Sequence, residues 1–332
     1  MNSLVDKIIR RIKKFVSNKQ FLRLFPTPTV EVLASEWPEF SNKGAGKKIL
    51  YLAAKYDYGD KSKGISYEEY NFFYTLKNMN GIETIRLDVY SLYHRYGKYI
   101  TNKVIKEVAL LEGVDTILLC LFHDIFDHEL FKDLSDNYPI ETVLWLFDDD
   151  KRYIETAALV PCFNKVVTTI DIRHQVRMKA GLNSYLAQFA ANHYLYKNYN
   201  LTKEFDVVFV GQNFGNRQEY VDYLKANGIN VFAFGRGWPN AGRLTQVEMI
   251  ELLNKAKIAL NFSSSADNPD LKFLKGRIVG EHLDVFSDKA ELLSKIGFYL
   301  SHETALIKVS GKGQKLVLNN YTFESYLSKI IN

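Results

Sequence analysis

Cysteine is scarce in this chain, with Cys120 inside an apolar run and Cys162 beside a proline as the only two. Two cysteines so placed build neither a disulfide framework nor a CxxC metal pair, and they fit a reducing cytoplasm. Long apolar runs are missing too, none approaching the roughly 20 residues of a membrane helix. Charges interrupt the apolar positions of the N-terminus, so no signal peptide is expected. The chain also lacks a GxGxxG fingerprint, the lysine and Ser/Thr of a P-loop, a GxSxG elbow, an HExxH pair and a kinase signature. The first of these absences disfavours an NAD-dependent oxidoreductase. Short-period repeats and low-complexity tracts are absent.

Charge is unevenly spread. The first 25 residues hold seven Lys/Arg and one Asp, whereas the whole chain is only +5. The remaining body is near neutral, which argues against nucleic acid as its partner. Within MNSLVDKIIRRIKKFVSNKQFLRLF, Leu4, Val5, Ile8, Ile9, Ile12, Phe15 and Val16 recur at helical spacing among Lys7, Arg10, Arg11, Lys13 and Lys14. A basic amphipathic helix over residues 1–28 lies either on an anionic membrane surface or on its own domain. Aromatic residues are plentiful, 14% of the chain, and either stack on sugars or bases or fill a core.

At 332 residues the chain is about twice a typical domain, so two domains are expected. KKILYLAA, ETIRLDV, DTILLCLF, ETVLWLF and NKVVTTI read as successive strands. Between them lie the polar loop KYDYGDKSKG and a helix opened by Ser66 and Glu69 as a capping box. DTILLCLF is apolar throughout, as a parallel strand covered on both faces requires. Residues 197–205 are polar and unperiodic, a linker. The alternation then restarts with DVVFVG, INVFAFG and KIALNFS. The expected fold is α/β, two doubly wound parallel sheets over residues 29–200 and 201–332, with terminal helices in the second domain. In such sheets ligands sit outside the carboxyl ends of the strands, so those loops are the ones to read.

In the second half, Gly211 and Gly215 turn the chain before Asn216 and Arg217 open a helix, whose free backbone N–H groups suit a phosphate. The next strand ends in Gly235, Arg236, Gly237 and Trp238, where a flat ligand could lie on backbone or ring. Beyond KIALNFSSS come Lys275 and Arg277, a further cationic edge that also reads as a solvated surface. In the first half, His123, Asp124, Asp127 and His128 do not match a zinc spacing. His123, just past a strand, is a candidate for acceptor binding or for a base. Asp148, Asp149 and Asp150 end another strand, where they bind a metal, polarise a hydroxyl or simply start a helix.

Taken together, DVVFVGQNFGNRQEYVDYLKANGINVFAFGRGW, the KIALNFS strand with KGR, and VLWLFDDD followed by FNKVVTTID resemble the spore protein YkvP/CgeB-like glycosyltransferase family. The resemblance runs from about residue 47 to the end. It implies a GT-B fold, two Rossmann-like domains facing each other across a cleft, and a transferase for surface polysaccharide, glycan or glycoprotein synthesis. It also implies no bound metal and no cofactor beyond the nucleotide-sugar substrate. Arg217, Lys275 and Arg277 would face the donor's diphosphate, with Gly211 in the donor site and Gly235 to Trp238 lining the nucleotide. Asp148 and Asp149 would lie in the cleft, and with His123, read from its place past a strand, they are the catalytic candidates. The chain departs from the family after Arg277, where about 20 residues of the donor segment are missing. That departure raises the alternative of a degenerate, non-catalytic scaffold.

Overall fold

The computed structural model describes residues 28–121, 125–150, 152–239, 242–262 and 280–331. The amphipathic N-terminal segment, His123, Lys275, Arg277 and the shortened donor segment fall outside the described residues.

The first unit is built on a seven-stranded sheet in the order β1-β3-β2-β4-β5-β6-β7. Its strands are β1 (Glu39–Ser41), β2 (Lys47–Ala53), β3 (Ile82–Asp88), β4 (Thr116–Leu119), β5 (Glu141–Leu146), β6 (Lys165–Thr168) and β7 (Ser184–Leu186). All pairs are parallel except β1 with β3, an antiparallel edge of three residues that the sequence reading did not anticipate. Chain order reverses at β2, which lies between β3 and β4. A crevice opens at the carboxyl ends of β2 and β4, where the crossovers leave to opposite sides.

Both faces of this sheet are covered, which explains why the central strands β2, β4 and β5 are largely apolar. Leu50, Leu52, Ile117, Leu119, Leu144 and Leu146 point to one side, against Val104, Ile105 and Val108 of a long helix. That helix, Val89–Leu111, turns at Gly97, whose φ of 83° favours glycine. Ile49, Tyr51, Leu118, Cys120, Val143 and Trp145 point to the other side. The alternation of side chains along a strand makes these two cores from one set of residues.

The second unit has, among the described residues, a three-stranded parallel sheet in the order β10-β8-β9. Its strands are β8 (Phe205–Val210), β9 (Val231–Phe234) and β10 (Ala256–Leu260). Helices Arg217–Ala226 and Gln246–Lys255 alternate with them, the latter opened by a Thr245–Glu248 capping box. The observed class is therefore the expected one, α/β with two parallel sheets.

The assignment of every terminal helix to the second domain needs correction. Helices Lys289–Ser301 and Glu303–Asn320 follow the second sheet, but the last helix, Phe323–Ile331, packs in the first unit. Phe323 is 1% exposed, its ring 4.8 Å from Phe72 and 6.4 Å from Trp145. Lys165 Nζ donates to the Ile330 carbonyl at 2.7 Å, and Lys47 Nζ donates to that of Ile331. Helical periodicity shows that such a segment has an apolar face; it does not show which core receives it. Phe323→Ala is expected to cost about 3–5 kcal/mol through the cavity it leaves. Urea unfolding of the full chain measures this, and a loss below about 1 kcal/mol would mean that the helix is only loosely docked.

Candidate functional site

Over the first sheet, the loop after β2 and the helical residues 67–76 enclose a cavity of about 240 Å³. Its walls come from the carboxyl ends of three neighbouring strands: Ala54 after β2, Leu121 after β4, and Phe147 with Asp148 after β5. The β2 loop adds Tyr56, Asp57 and Tyr58, and the helix adds Tyr67 and Glu68. The cavity thus occupies the crevice that the strand order opens.

Local forces fix these side chains. Ser66 is buried, its hydroxyl donating to the Ala54 carbonyl at 2.6 Å and accepting from Glu69 N–H at 3.0 Å. That cap starts the helix beside the end of β2. A π-helical turn over Glu69–Phe73 then widens it. Arg86 on β3, 3% exposed, pairs with both Glu69 and Glu39 and locks the helix to the sheet. Tyr67 and Glu68 are thereby held at the cavity, where burial pushes the Glu68 carboxyl up. Its own backbone N–H and Ser66 oppose that shift, and the Asp57 charge adds to it.

The three aspartates after β5 have different fates. Asp148 is exposed at the cavity wall and sits at φ 49°, a left-handed conformation that a non-glycine residue adopts at some cost. Asp150 is exposed. Asp149 is fully buried. Its Oδ1 accepts from Arg177 Nη2 at 2.8 Å, its Oδ2 from Thr168 Oγ1 at 2.6 Å, and a second Arg177 nitrogen completes a fork. Arg177 is itself 3% exposed. The expectation that Asp149 reaches the cleft is therefore corrected. Its carboxylate ties the end of β5 to β6 and to helix Asp171–Lys179, because a buried carboxylate must be paired.

Among the described residues no group of three His, Cys, Asp or Glu is placed to hold a metal ion. Asp127 caps helix His128–Asn137, its side chain accepting from Glu129 N–H.

In the second unit the glycine loops at the carboxyl ends of β8 and β9 are zipped together. Gly211 N–H donates to the Phe234 carbonyl and Asn213 N–H to that of Arg236, each at 2.8 Å. A Cβ on Gly235 would lie 2.3 Å from the Gly211 carbonyl oxygen, and its φ is 129°, so glycine is required there. Gly215, φ 59°, turns the chain into the helix at Arg217. The Arg217 guanidinium spans the strand ends, donating to the Gln212 carbonyl at 2.8 Å and the Phe262 carbonyl at 3.1 Å. Partial burial draws its pKa below the usual guanidinium value. Arg236 and Gly237 are exposed on the same edge.

Trp238 departs from expectation. It is 6% exposed, packs edge-on against Phe209 at 5.9 Å, and its indole N–H donates to the Gly211 carbonyl at 2.8 Å. Its ring belongs to the core and is not offered to a ligand. A tryptophan after a glycine loop carries no signal in sequence that separates these two fates.

Sequence reasoning passed over Tyr56, Asp57, Tyr58 and Glu68. The usable signal was KYDYGDKSKG itself, a strand-end loop with two tyrosines flanking a carboxylate. The two units touch beside it, where Arg243 Nη2 meets Asp57 Oδ2 at 3.2 Å.

No protein-family model and no curated protein matches the chain. Among solved structures, it is similar to the Glycosylation Associate Protein (Gap123) complex from Streptococcus agalactiae at 13% identity, with TM-score 0.48. That match covers 71% of this chain and 58% of the other. Anabaena Alr3699/HepE in complex with UDP and glucose is 12% identical over 85% of this chain and 98% of its own, with TM-score 0.44. TarM is 12% identical over 70% and 58%, with TM-score 0.45. The chain thus spans 58% of the length of two of these three structures. Likeness at this level assigns no residue a role.

Asp149→Ala leaves Arg177 buried without its counter-charge. A loss of about 3–5 kcal/mol is expected. Asp148→Ala, at an exposed and strained position, is expected to stay within about 1 kcal/mol of the parent. Chemical denaturation of both variants checks the assignment, and equal effects would refute the division of roles.

Proposed function

We propose that this protein is a glycosyltransferase of the GT-B kind, which moves a sugar from a nucleotide-sugar donor to a hydroxyl of a glycan or glycoprotein. The observation that carries this reading is the pairing of two parallel α/β sheets with chemically different carboxyl edges. The first edge holds a cavity walled by tyrosines and carboxylates, suited to a polyhydroxylated acceptor. The second holds zipped glycine loops, a helix start at Arg217 and the exposed Arg236, suited to a diphosphate. The resemblance adds Lys275 and Arg277, which lie outside the described residues, as further cations for the diphosphate.

Mechanistically, the oxygen of the acceptor hydroxyl bonds to the anomeric carbon as the bond to the diphosphate breaks, and the hydroxyl proton passes to a carboxylate at the cleft or to the departing diphosphate. The leaving electron pair goes to the diphosphate oxygen, and cationic side chains with backbone N–H groups stabilise the charge that develops there. The nucleotide sugar is substrate, and neither metal nor further cofactor enters the scheme. The family intended is the YkvP/CgeB-like one.

A second reading, a non-catalytic relative that binds but does not transfer, draws on one observation: Arg217 already spends donors on two strand-end carbonyls.

A thermal-shift panel of UDP, GDP, dTDP, CMP and their sugars tests the first reading. Stabilisation by one diphosphate is expected, with at least a tenfold weaker apparent affinity in Arg236→Ala and Arg277→Ala. Donor binding without turnover would favour the second reading, and no binding at all would refute the first.

The same reading places the protein in the cytoplasm with residues 1–25 against the inner membrane face. No helix among the described residues is long and apolar enough to cross a membrane. Flotation with anionic liposomes is expected for the full chain and not for a chain lacking residues 1–25; equal flotation would remove the claim.

A further inference from the structure

The first-unit cavity has features that go beyond a generic acceptor side. Three large aromatic residues at its rim stay open to solvent: Tyr58 at 69% exposure, Tyr67 at 42% and Phe189 at 39%. Apolar ring faces left uncovered around a concavity are what a ligand with apolar faces covers. The polar groups among them are Asp57, Glu68, Asp148 and Arg152 together with the tyrosine hydroxyls. Carboxylates accept hydrogen bonds and phenols both donate and accept, the combination that a ring bearing several hydroxyls satisfies.

Charge narrows the choice. Asp57 already faces Arg243 at 3.2 Å, and Arg152 pairs with Glu155 at 3.3 Å. Among the described residues these two arginines are thus already paired, and Lys63 Nζ lies 4.8 Å from the centre of the Tyr58 ring. Glu68 and Asp148 remain to repel a phosphate or a second carboxylate. Volume narrows it further: about 240 Å³ is below the roughly 300–1,000 Å³ of sites for drug-sized ligands. It is room for one ring.

We propose that this cavity binds a single uncharged pyranose ring of the acceptor, with Tyr58 and Phe189 against its faces and Glu68 and Asp148 accepting from its hydroxyls, and that it rejects uronic acids and sugar phosphates. The proposal rests on the glycosyltransferase reading for the word acceptor; the ring-binding claim itself does not. The Ser66 cap on Glu69 and the Arg86 clamp on its carboxylate fix the backbone that carries Glu68 before any ligand arrives.

The test is saturation-transfer NMR with methyl glucopyranoside, galactopyranoside and N-acetylglucosaminide, against glucuronate and glucose 6-phosphate. The full-length chain is used, alone and with each nucleoside diphosphate. At least one neutral glycoside is expected to bind at least tenfold more tightly than either anion. Glu68→Gln and Phe189→Ala are each expected to weaken it at least fivefold, with unchanged thermal midpoint and unchanged nucleotide binding. Phe189 is exposed and Gln has the shape of Glu, so both variants test the contact and not the fold. Binding of no neutral glycoside overturns the proposal, as does equal binding of an anion or indifference to both substitutions. If nucleotide stabilisation survives in that case, only the cavity assignment falls. Glycoside binding without any nucleotide binding would leave the cavity standing and remove the transferase reading.

Discussion

A parallel strand covered on both faces can hold a charged side chain within its length only where a partner answers it, as Glu39 and Glu69 answer Arg86 on β3. That constraint governs the whole molecule. In the first sheet Leu50 and Leu52 feed one core while Ile49 and Tyr51 feed the other, so β2 has no free face. The polar groups of the chain are pushed into the loops, and the change of direction at β2 decides which loops part to leave a crevice. The cavity lies there because the strand order leaves room there.

Building the crevice requires buried charge to be settled first. Arg86 lies under the helix that carries Tyr67 and Glu68, and Arg177 lies under the loop that carries Asp148. Each guanidinium is nearly buried and each is answered by carboxylates, Glu39 and Glu69 in one case and Asp149 in the other. Such pairs contribute little net stability compared with an apolar filling, but they fix position, since a displaced partner would leave a charge unpaired. The residues at the cavity therefore stand on two nearly buried guanidinium groups, of which Arg86 is met at the surface by the exposed Glu39.

The second edge is held by different means. Gly235 allows the backbone of one loop to close on the carbonyl of another, and Trp238 and Arg217 donate into the same strand ends. Backbone N–H groups near a helix start remain the natural anion-binding element there. The last helix then returns to the first unit, so Phe323 completes a core that includes Phe72 and Trp145, far earlier in the chain.

Local pattern alone determined the class of the fold. Apolar runs of strand length, glycine-terminated helices and the restart after residue 205 required two parallel α/β sheets, and the Ser66 cap was legible from its spacing to Glu69. Strand ends pointed to the loops after β4 and β5 that wall the cavity but not to the β2 loop beside them, because periodicity is a property of neighbours in sequence. Tertiary structure decided what each loop residue does. Asp148 and Asp149 are adjacent and chemically identical, yet one is exposed at φ 49° and the other is enclosed by Arg177, 28 residues away. Trp238 became core because Phe209 lies beneath it, and Glu68 became a cavity wall because a helix cap turned it toward β2. Those outcomes depend on which distant groups meet, and on the cost of burying a charge or an aromatic ring without a partner. No window of sequence contains that information.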